Sequence, residues 1–331
     1  MSSAFLSHRT DRGLRIEPRS AGDLAHFLDG LLEGDSARIV CGATTLRVAS
    51  SEDVVFWTGK EWTGEVRHTR AGVLLTTFGL VIPDDFKGTS IQVSDPYEAM
   101  CTLLRELHEP LIENKEGKIS WDAHVHPSAI VEGTVWPGAQ IGPHCVVPAG
   151  CEVGWNTILE AHVVLYAGVT IGKECVLQAG TVIGSRGFGF RPGPGGVVSV
   201  PHYAGVEIGS RVHIGANSVV AAGFLEPTRI GDDSKLDSFV QIAHHCQVGS
   251  RVMMASGAGL AGGVLVGDGA EFGGAAQVAQ HLRIGSGARI AAKSGVTHSV
   301  DDHAVVAGFP SEPISIWRKS VIALRKLAES C

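Results

Sequence analysis

In the stretch LDSFVQIAHHCQVGS, Leu236 to Ser250, an aspartate and two histidines stand among small and aliphatic side chains: Asp237, His244 and His245. A neutral imidazole is well suited to take up a proton near neutral pH, and a carboxylate beside it fixes its tautomer and raises its basicity. Gly262 follows His244 by 18 residues and His281 follows it by 37. In a chain that coils every 18 residues, Gly262 lies one coil above His244. His281 then lies two coils and one position above, on the same edge and ~10 Å along the axis. A glycine N–H at such a place meets a reacting carbonyl without side-chain obstruction, as an oxyanion donor must. The set reads as a site for acyl transfer, with His244 as general base, Asp237 as its orienter, Gly262 as oxyanion donor and His281 flanking the ligand. The seven-residue step from Asp237 to His244 leaves open whether they meet within one chain or across an interface. A histidine hydrogen-bonded at a subunit interface is the plain structural alternative. Cys246 points to another face by phase and reads as a small filler.

The coil itself is visible in the sequence. Val135, Ile141, Val147, Val153, Leu159, Leu165, Ile171, Leu177 and Ile183 are six residues apart, often followed by glycine as in IGPHCV, VGWNTI and IGKECV. The phase resumes at Ile208, Ile214 and Val220, breaks at FLEPT, and runs on from Ile230 through Ile242, Leu260 and Val278 to Val296. A period of six fits neither a 3.6-residue helix nor an alternating strand; it fits a solenoid of short strands, three to a coil, with the aliphatic residue inward. Small residues turn the corners, where glycine is expected to take backbone angles that others avoid. The pattern resembles the left-handed parallel β-helix of hexapeptide-repeat acyltransferases, so the fold class is mainly β. That resemblance implies closed three-fold packing, with clefts between subunits, and a homotrimer is expected. Hexapeptide carbonic anhydrases are similar in fold and bind zinc through three histidines, two of them five apart. Here the positions five from His281 are Ala276 and Ser286, so that metal set is incomplete.

Around the solenoid, residues 119–300, stand two smaller parts. Residues 1–118 alternate helix-like runs (LAHFLDGLLE, PYEAMCTLLRELHE) with strand-like ones (EDVVFW, AGVLLTT) and read as a small α/β domain of nucleotide-binding type, with NKEGK as linker. Residues 301–331 read as a loop, broken by Pro310 and Pro313, and an amphipathic helix, ISIWRKSVIALRKLAES. The interruption 184–205 is expected to be a loop too rich in Gly and Pro for regular structure, and to form a lid or wall of a binding cleft.

Composition narrows the classes. The chain of 331 residues has 43 glycines, 6% aromatics and 18% charged residues, which suits a regular β architecture of small residues. A net charge of −7 argues against nucleic acid as partner. No apolar run approaches the ~18 residues of a membrane span and the N-terminus lacks an apolar signal core, so a cytoplasmic location is expected. Cys145, Cys151 and Cys175 recur at multiples of six rather than as C-x-x-C pairs, which suggests buried reduced thiols.

SDPYEAMCTLL, GSRGFGF, LDSFVQIAHHCQVGS, FGGAAQVAQHLRIGSGARIAAKSGV and GFPSEPISIWRK, in this order around a hexad solenoid, resemble the UDP-3-O-acylglucosamine N-acyltransferase family of lipid A biosynthesis over nearly the whole chain. The resemblance implies that an acyl carrier protein delivers a 3-hydroxyacyl thioester to the 2-amine of a UDP-sugar, with no cofactor beyond the phosphopantetheine that carries the acyl group. It makes His244 the base, Asp237 the aspartate, His281 the second histidine and Gly262 the oxyanion glycine. The family's uracil-stacking motif F-x-x-N-x-K-Y corresponds to FWTGKEW. Phe56 keeps the platform and Trp62 replaces the tyrosine, but Gly59 and Glu61 stand at the asparagine and lysine positions, with Lys60 one place off. Ala221 and Ala222 replace a charged pair, and His245, a candidate substrate contact, follows the base where the family usually has an amide. These departures imply preserved chemistry on an altered acceptor. Arg318, Lys319, Arg325 and Lys326 give the C-terminal helix a basic face suited to an acidic carrier protein; coenzyme A would use similar charges. An acetyl-CoA-dependent amino-sugar acetyltransferase and a catalytically silent scaffold are the alternatives.

Overall fold

The computed structural model describes residues 14–59, 63–106, 117–193, 195–308 and 314–329. Its larger part is a left-handed parallel β-helix. Three sheets of two- to four-residue strands run its length. The first has ten strands, from His124–Val125 to Val305–Val306; the second nine, from Ile130–Val131 to Gly295–Val296; the third eight, from Thr134–Val135 to Arg283–Ile284. Every neighbouring pair is parallel, as in Gln241 with Gly259 and Gly259 with Gln277, and the register shifts only between Ile183 and Ser185, where the insertion leaves. The hexad residues fill the interior: Val147, Leu177, Ile214, Ile242 and Ile284 all belong to one continuous buried core. Burying a chain of such side chains at ~1.5–3 kcal/mol each is the main term that offsets the ordering of so short a repeat.

Glycine takes the expected left-handed angles at the corners of Gly138, Gly150, Gly180 and Gly257 (φ 69°, 77°, 74° and 72°), but the glycine that directly follows an inward residue has a different reason. There the left-handed backbone angles fall two positions later, on ordinary residues: His144 (φ 58°) in IGPHCV, Asn156 (φ 55°) in VGWNTI and Glu174 (φ 56°) in IGKECV. Gly142 is required by the coil above, since a Cβ there would lie 2.8 Å from the Glu160 carbonyl carbon and 2.9 Å from the Leu159 oxygen. The Gly142 amide donates to that same Leu159 oxygen at 2.8 Å. Glycine therefore sets how closely coils approach. Thiols fill the same corners from inside: Cys145 donates to the Glu160 carbonyl at 2.8 Å and Cys151 to that of Tyr166 at 3.0 Å.

The N-terminal domain is a six-stranded sheet of β1 (Leu14–Ser20), β2 (Leu31–Glu33), β3 (Ile39–Ala43), β4 (Asp53–Trp57), β5 (Val73–Thr77) and β6 (Thr89–Val93), in the order β1-β3-β4-β5-β6-β2. Helices α1 (Ala21–Phe27), α2 (Thr63–His68) and α3 (Pro96–Arg105) complete it. Ser20 and Asp95 cap α1 and α3 by accepting from the Asp23 and Glu98 amides. The helix expected through LAHFLDGLLE stops at Phe27. Asp29 takes a positive φ of 50°, and Gly30 lies where a Cβ would meet Ile91 at 2.5 Å; the chain leaves as β2, antiparallel to β6. The NKEGK linker falls largely outside the described residues.

Two further expectations are corrected. The interruption after Ile183 is partly regular: Phe190–Gly193 and Gly196–Ser199 form an antiparallel hairpin, with Arg191 opposite Val198. The solenoid also continues beyond residue 300, because Val305–Val306 pairs with Arg289–Ile290 on the first sheet. The C-terminal helix α4 spans Ile314–Glu329. Among the described residues no helix is long and apolar enough to cross a membrane.

The glycine argument sets a prediction. Gly142→Ala should lower the melting temperature by several degrees, the equivalent of ~1–3 kcal/mol of overpacking. Gly295→Ala, whose Cβ would meet nothing within 4 Å, should leave it within about a degree. Calorimetry on the two variants measures the difference.

Candidate active site

One edge of the solenoid, the corner between the second and third sheets, collects every unusual feature of the chain. The hairpin insertion leaves the second sheet after Val182–Ser185 and rejoins the third at Val206–Ile208. The short interruption leaves after Val219–Ala221 and rejoins at Thr228–Ile230. On the next coil the same corner carries His244 and His245, on the next Gly262 and Gly263, and on the next His281, because Gln241–Ile242, Gly259–Leu260 and Gln277–Val278 are consecutive second-sheet strands. The backbone ties these corners together, Gly263 N–H donating to the His244 carbonyl and His281 N–H to that of Gly262, both at 2.9 Å.

His244 and Gly262 meet as the 18-residue spacing requires. The half-buried His244 ring lies against the Gly262 Cα, where a Cβ would fall 2.5 Å from His244 Cε1 and 2.9 Å from Nε2. The Gly262 amide N–H has no acceptor among the described residues. Gly187, from the insertion, covers the other side, where a Cβ would be 2.6 Å from His244 Cδ2. His281 is exposed on the same edge, seated over Gly263, whose Cβ would be 2.5 Å from His281 Nδ1.

Asp237 lies elsewhere in its own chain. It follows the first-sheet strand Lys235–Leu236 at the corner between the first and second sheets, and its carboxylate accepts from the Ser238 and Ser256 amides at 2.7 and 3.2 Å. It also borders a shallow groove of about 610 Å³ on the first sheet, lined by Lys235, Met253, Glu271 and Arg289, away from the imidazoles.

What stands beside His244 instead is a pair of further imidazoles. His245 Nδ1 is 2.6 Å from His244 Nδ1, and the Phe224 N–H donates to His245 Nε2 at 3.1 Å. His202, from the insertion, is 4% exposed, with ring centroids 4.7 Å from His244 and 5.7 Å from His245. Burial, then the neighbouring His244, pushes His202 down to about 4. Burial, then His244 and His202, pushes His245 down to about 3. Burial also lowers His244, against a hydrogen bond to the Phe188 backbone that works the other way. Burial thus favours the neutral form of all three. Their ring nitrogens lie within 4.8 Å of one another, a spacing that suits a metal ion. The donor set does not: a metal-bound histidine gives its second N–H to an acceptor, whereas His245 Nε2 receives a backbone donor. Cys246 is buried, and burial pushes its thiol up to about 12, as befits a filler.

His202, Phe224 and Gly187 escaped the sequence reading. Their signal was the phase: both interruptions break the period after a second-sheet strand, at the corner that carries His244. The N-terminal domain docks on this corner. Val200, Phe224 and Leu225 join its core, Arg191 pairs with Asp95 at 2.6 Å and lies over the Tyr97 ring at 4.7 Å. Phe56 is half-buried in an aromatic trio, edge-on to Tyr97 at 5.4 Å and tilted against Phe224 at 6.5 Å. Lys60 and Trp62 lie outside the described residues. Lys319, Arg325 and Lys326 are exposed on α4; Arg318 is on the same helix, its side chain outside the described ones.

Comparison with known proteins agrees with this architecture. The bacterial transferase hexapeptide family matches residues 227–262, and the hexapeptide repeat of succinyl-transferase matches 151–185, 199–222 and 205–238. LpxA from Acinetobacter baumannii shares the solenoid with a TM-score of 0.50 at 25% identity, over 61% of this chain and 77% of that one. Repeats, fold and corner site define a hexapeptide-repeat acyltransferase. Relatives named UDP-3-O-acylglucosamine N-acyltransferase from Pseudomonas syringae pv. syringae and Pseudomonas aeruginosa are 32% and 31% identical, each over 92% of this chain and 90% of their own. The chain belongs to the UDP-3-O-acylglucosamine N-acyltransferase family.

The depressed imidazoles give a sign. Between the ~6.5 of an unfolded histidine and about 4, where His202 titrates, the unfolded chain binds protons that the folded one does not. The stability they contribute is whole above pH ~6.5 and is lost as pH falls through that window. The melting temperature should drop by a few degrees between about pH 7 and pH 4.5. His202→Phe should flatten that slope in the same scanning-fluorimetry series; a variant as steep as the parent refutes the assignment.

Proposed function

We propose that this chain moves a 3-hydroxyacyl group from the phosphopantetheine thioester of an acyl carrier protein to the amine of a UDP-linked amino sugar, the acceptor class in its relatives' name. The observation that carries the reading is the contact of His244 with Gly262, an imidazole against the Cα of a glycine whose amide has no acceptor among the described residues, with His281 beyond it. The amine nitrogen attacks the thioester carbon, the imidazole of His244 takes the amine proton, and the carbonyl oxygen rests as an oxyanion on the Gly262 N–H. The C–S bond then breaks, and the proton passes to the leaving thiolate. No metal or other cofactor enters the step. The enzyme works as a homotrimer, in which Asp237 of a second copy serves as orienter, since in its own chain it sits on another corner. Lys319, Arg325 and Lys326, with Arg318, receive the acidic carrier protein.

The nucleotide end supports a narrower variation. With Tyr97 and Phe224 already against Phe56, a base stacks there only by entering the trio, and the buried Ala221 and Ala222 offer no charge. A nucleotide-linked amino sugar other than the UDP-glucosamine derivative is the second reading; thermal shifts with UDP-sugars against other nucleotide sugars separate the two.

His244→Ala should reduce transfer by about 10²- to 10⁴-fold, the usual range for a lost general base, with the melting temperature nearly unchanged. Transfer at the parent rate in a purified assay with acyl carrier thioester removes His244 from the mechanism.

A further inference from the structure

Two hydrogen bonds, taken together, decide which ring nitrogens hold protons at this corner. A backbone amide only donates, so the nitrogen that receives the Phe224 N–H, His245 Nε2, is the lone-pair nitrogen of a neutral imidazole. The proton of His245 is then on Nδ1. That nitrogen faces His244 Nδ1 at 2.6 Å, so His245 donates and His244 accepts. A neutral His244 therefore carries its proton on Nε2. This is the reverse of what a base acting through Nε2 requires. The arrangement is well held: the His245 amide donates to Thr228 Oγ1 at 3.0 Å, and Phe224 is buried in the core that joins the N-terminal domain to the solenoid.

We propose that His245 is a positioning residue that locks the tautomer of His244, holding its basic lone pair inward on His245 Nδ1–H and leaving its own proton on Nε2. The inference rests on the reading of His244 as the base. For His244 to take the amine proton at Nε2, its own proton must first lie on Nδ1, and the His245 proton must pass from Nδ1 to Nε2. The count of protons is unchanged, but His245 Nε2–H then confronts the Phe224 N–H, donor against donor. The base is released when that contact opens. Phe224 also packs on Tyr97, centroids 5.3 Å apart, and on Phe56, so a nucleotide that spreads this trio moves the amide that keeps the lock closed.

The test is a two-bond ¹H–¹⁵N correlation on ¹⁵N-histidine-labelled full-length protein, with His244 and His245 assigned from single variants. The lock requires His244 as the Nε2–H tautomer and His245 as Nδ1–H near pH 7.5. His245→Asn, whose amide both donates and accepts, should shift His244 to a mixture of tautomers and raise kcat about three- to tenfold, the worth of one neutral hydrogen bond. If His245→Asn does not fold, His245→Gln carries the same comparison. His244 found as Nδ1–H in the parent overturns the proposal, as does a His245→Asn enzyme with lower kcat, which would make His245 a substrate contact. Zn²⁺ titration that moves the ring nitrogens of His202, His244 and His245 together also overturns it, in favour of a metal site. Should the parent transfer no acyl group, the catalytic reading fails by itself, while the nitrogen spectra still decide the lock.

Discussion

Each coil hydrogen-bonds to the next in parallel register, and an aliphatic side chain every six residues keeps that register by filling the axis. A one-residue slip would turn Ile242 and Leu260 outward. The register therefore determines position around the cross-section for every residue, and it places His244, Gly262 and His281 on one edge although 18 and 37 residues of chain separate them. No flexible loop has to find its place for this contact. The rest of the molecule is attached to that edge: both insertions leave from it, and the N-terminal sheet packs on them through Val200, Phe224 and Leu225. A corner without such insertions would leave the His244 ring open to water on the side now covered by Gly187 and His202.

Close approach is the second consequence. Coils near enough to share ladder hydrogen bonds leave no space for a Cβ at Gly142, and the same closeness brings the His244 ring onto the Gly262 Cα. The repeat glycines and the site glycine thus share one cause, the short coil-to-coil distance. At Gly262 that distance also leaves a backbone amide without an acceptor among the described residues beside an imidazole. The wide loops of other enzymes are not needed to build this pair.

The sequence made the solenoid legible because its period is local and strictly repeated, and the edge containing His244, Gly262 and His281 followed by counting. The left-handed corner glycines such as Gly138 and Gly150 were legible too, but not the reason for the glycines that directly follow inward residues. Their partners are backbone atoms 17 or 18 residues away, such as Leu159 and Glu160 above Gly142, whereas φ is a local property. The hairpin Phe190–Ser199 was hidden by Pro192, Pro194, Gly193, Gly195 and Gly196, which signal turns more strongly than strands. His202 was not legible at all: it lies 42 residues before His244, in a segment outside the period, and only the fold of the insertion brings it in. The tautomer of His244 depends on the direction of one amide, that of Phe224, which no pattern of residue types encodes.

The charge balance of the corner carries the last step. Among the described residues no carboxylate hydrogen-bonds to His244, and burial favours the neutral form of its neighbours His202 and His245. Once His244 takes a proton it becomes a cation between two imidazoles that have refused one. A carboxylate at ~4 Å would return about 4 kcal/mol at an effective dielectric of 20, and Asp237, the candidate for that work, is held by the Ser238 and Ser256 amides on another corner. On the proposed reading, a single chain supplies the proton acceptor and the oxyanion donor but not the counter-charge. Either a second copy brings its Asp237 to this edge, or the proton must leave for the thiolate as soon as the C–S bond breaks. A corner without a counter-charge favours the second route as well, because it keeps the imidazolium short-lived and an acid strong enough to protonate the departing sulfur.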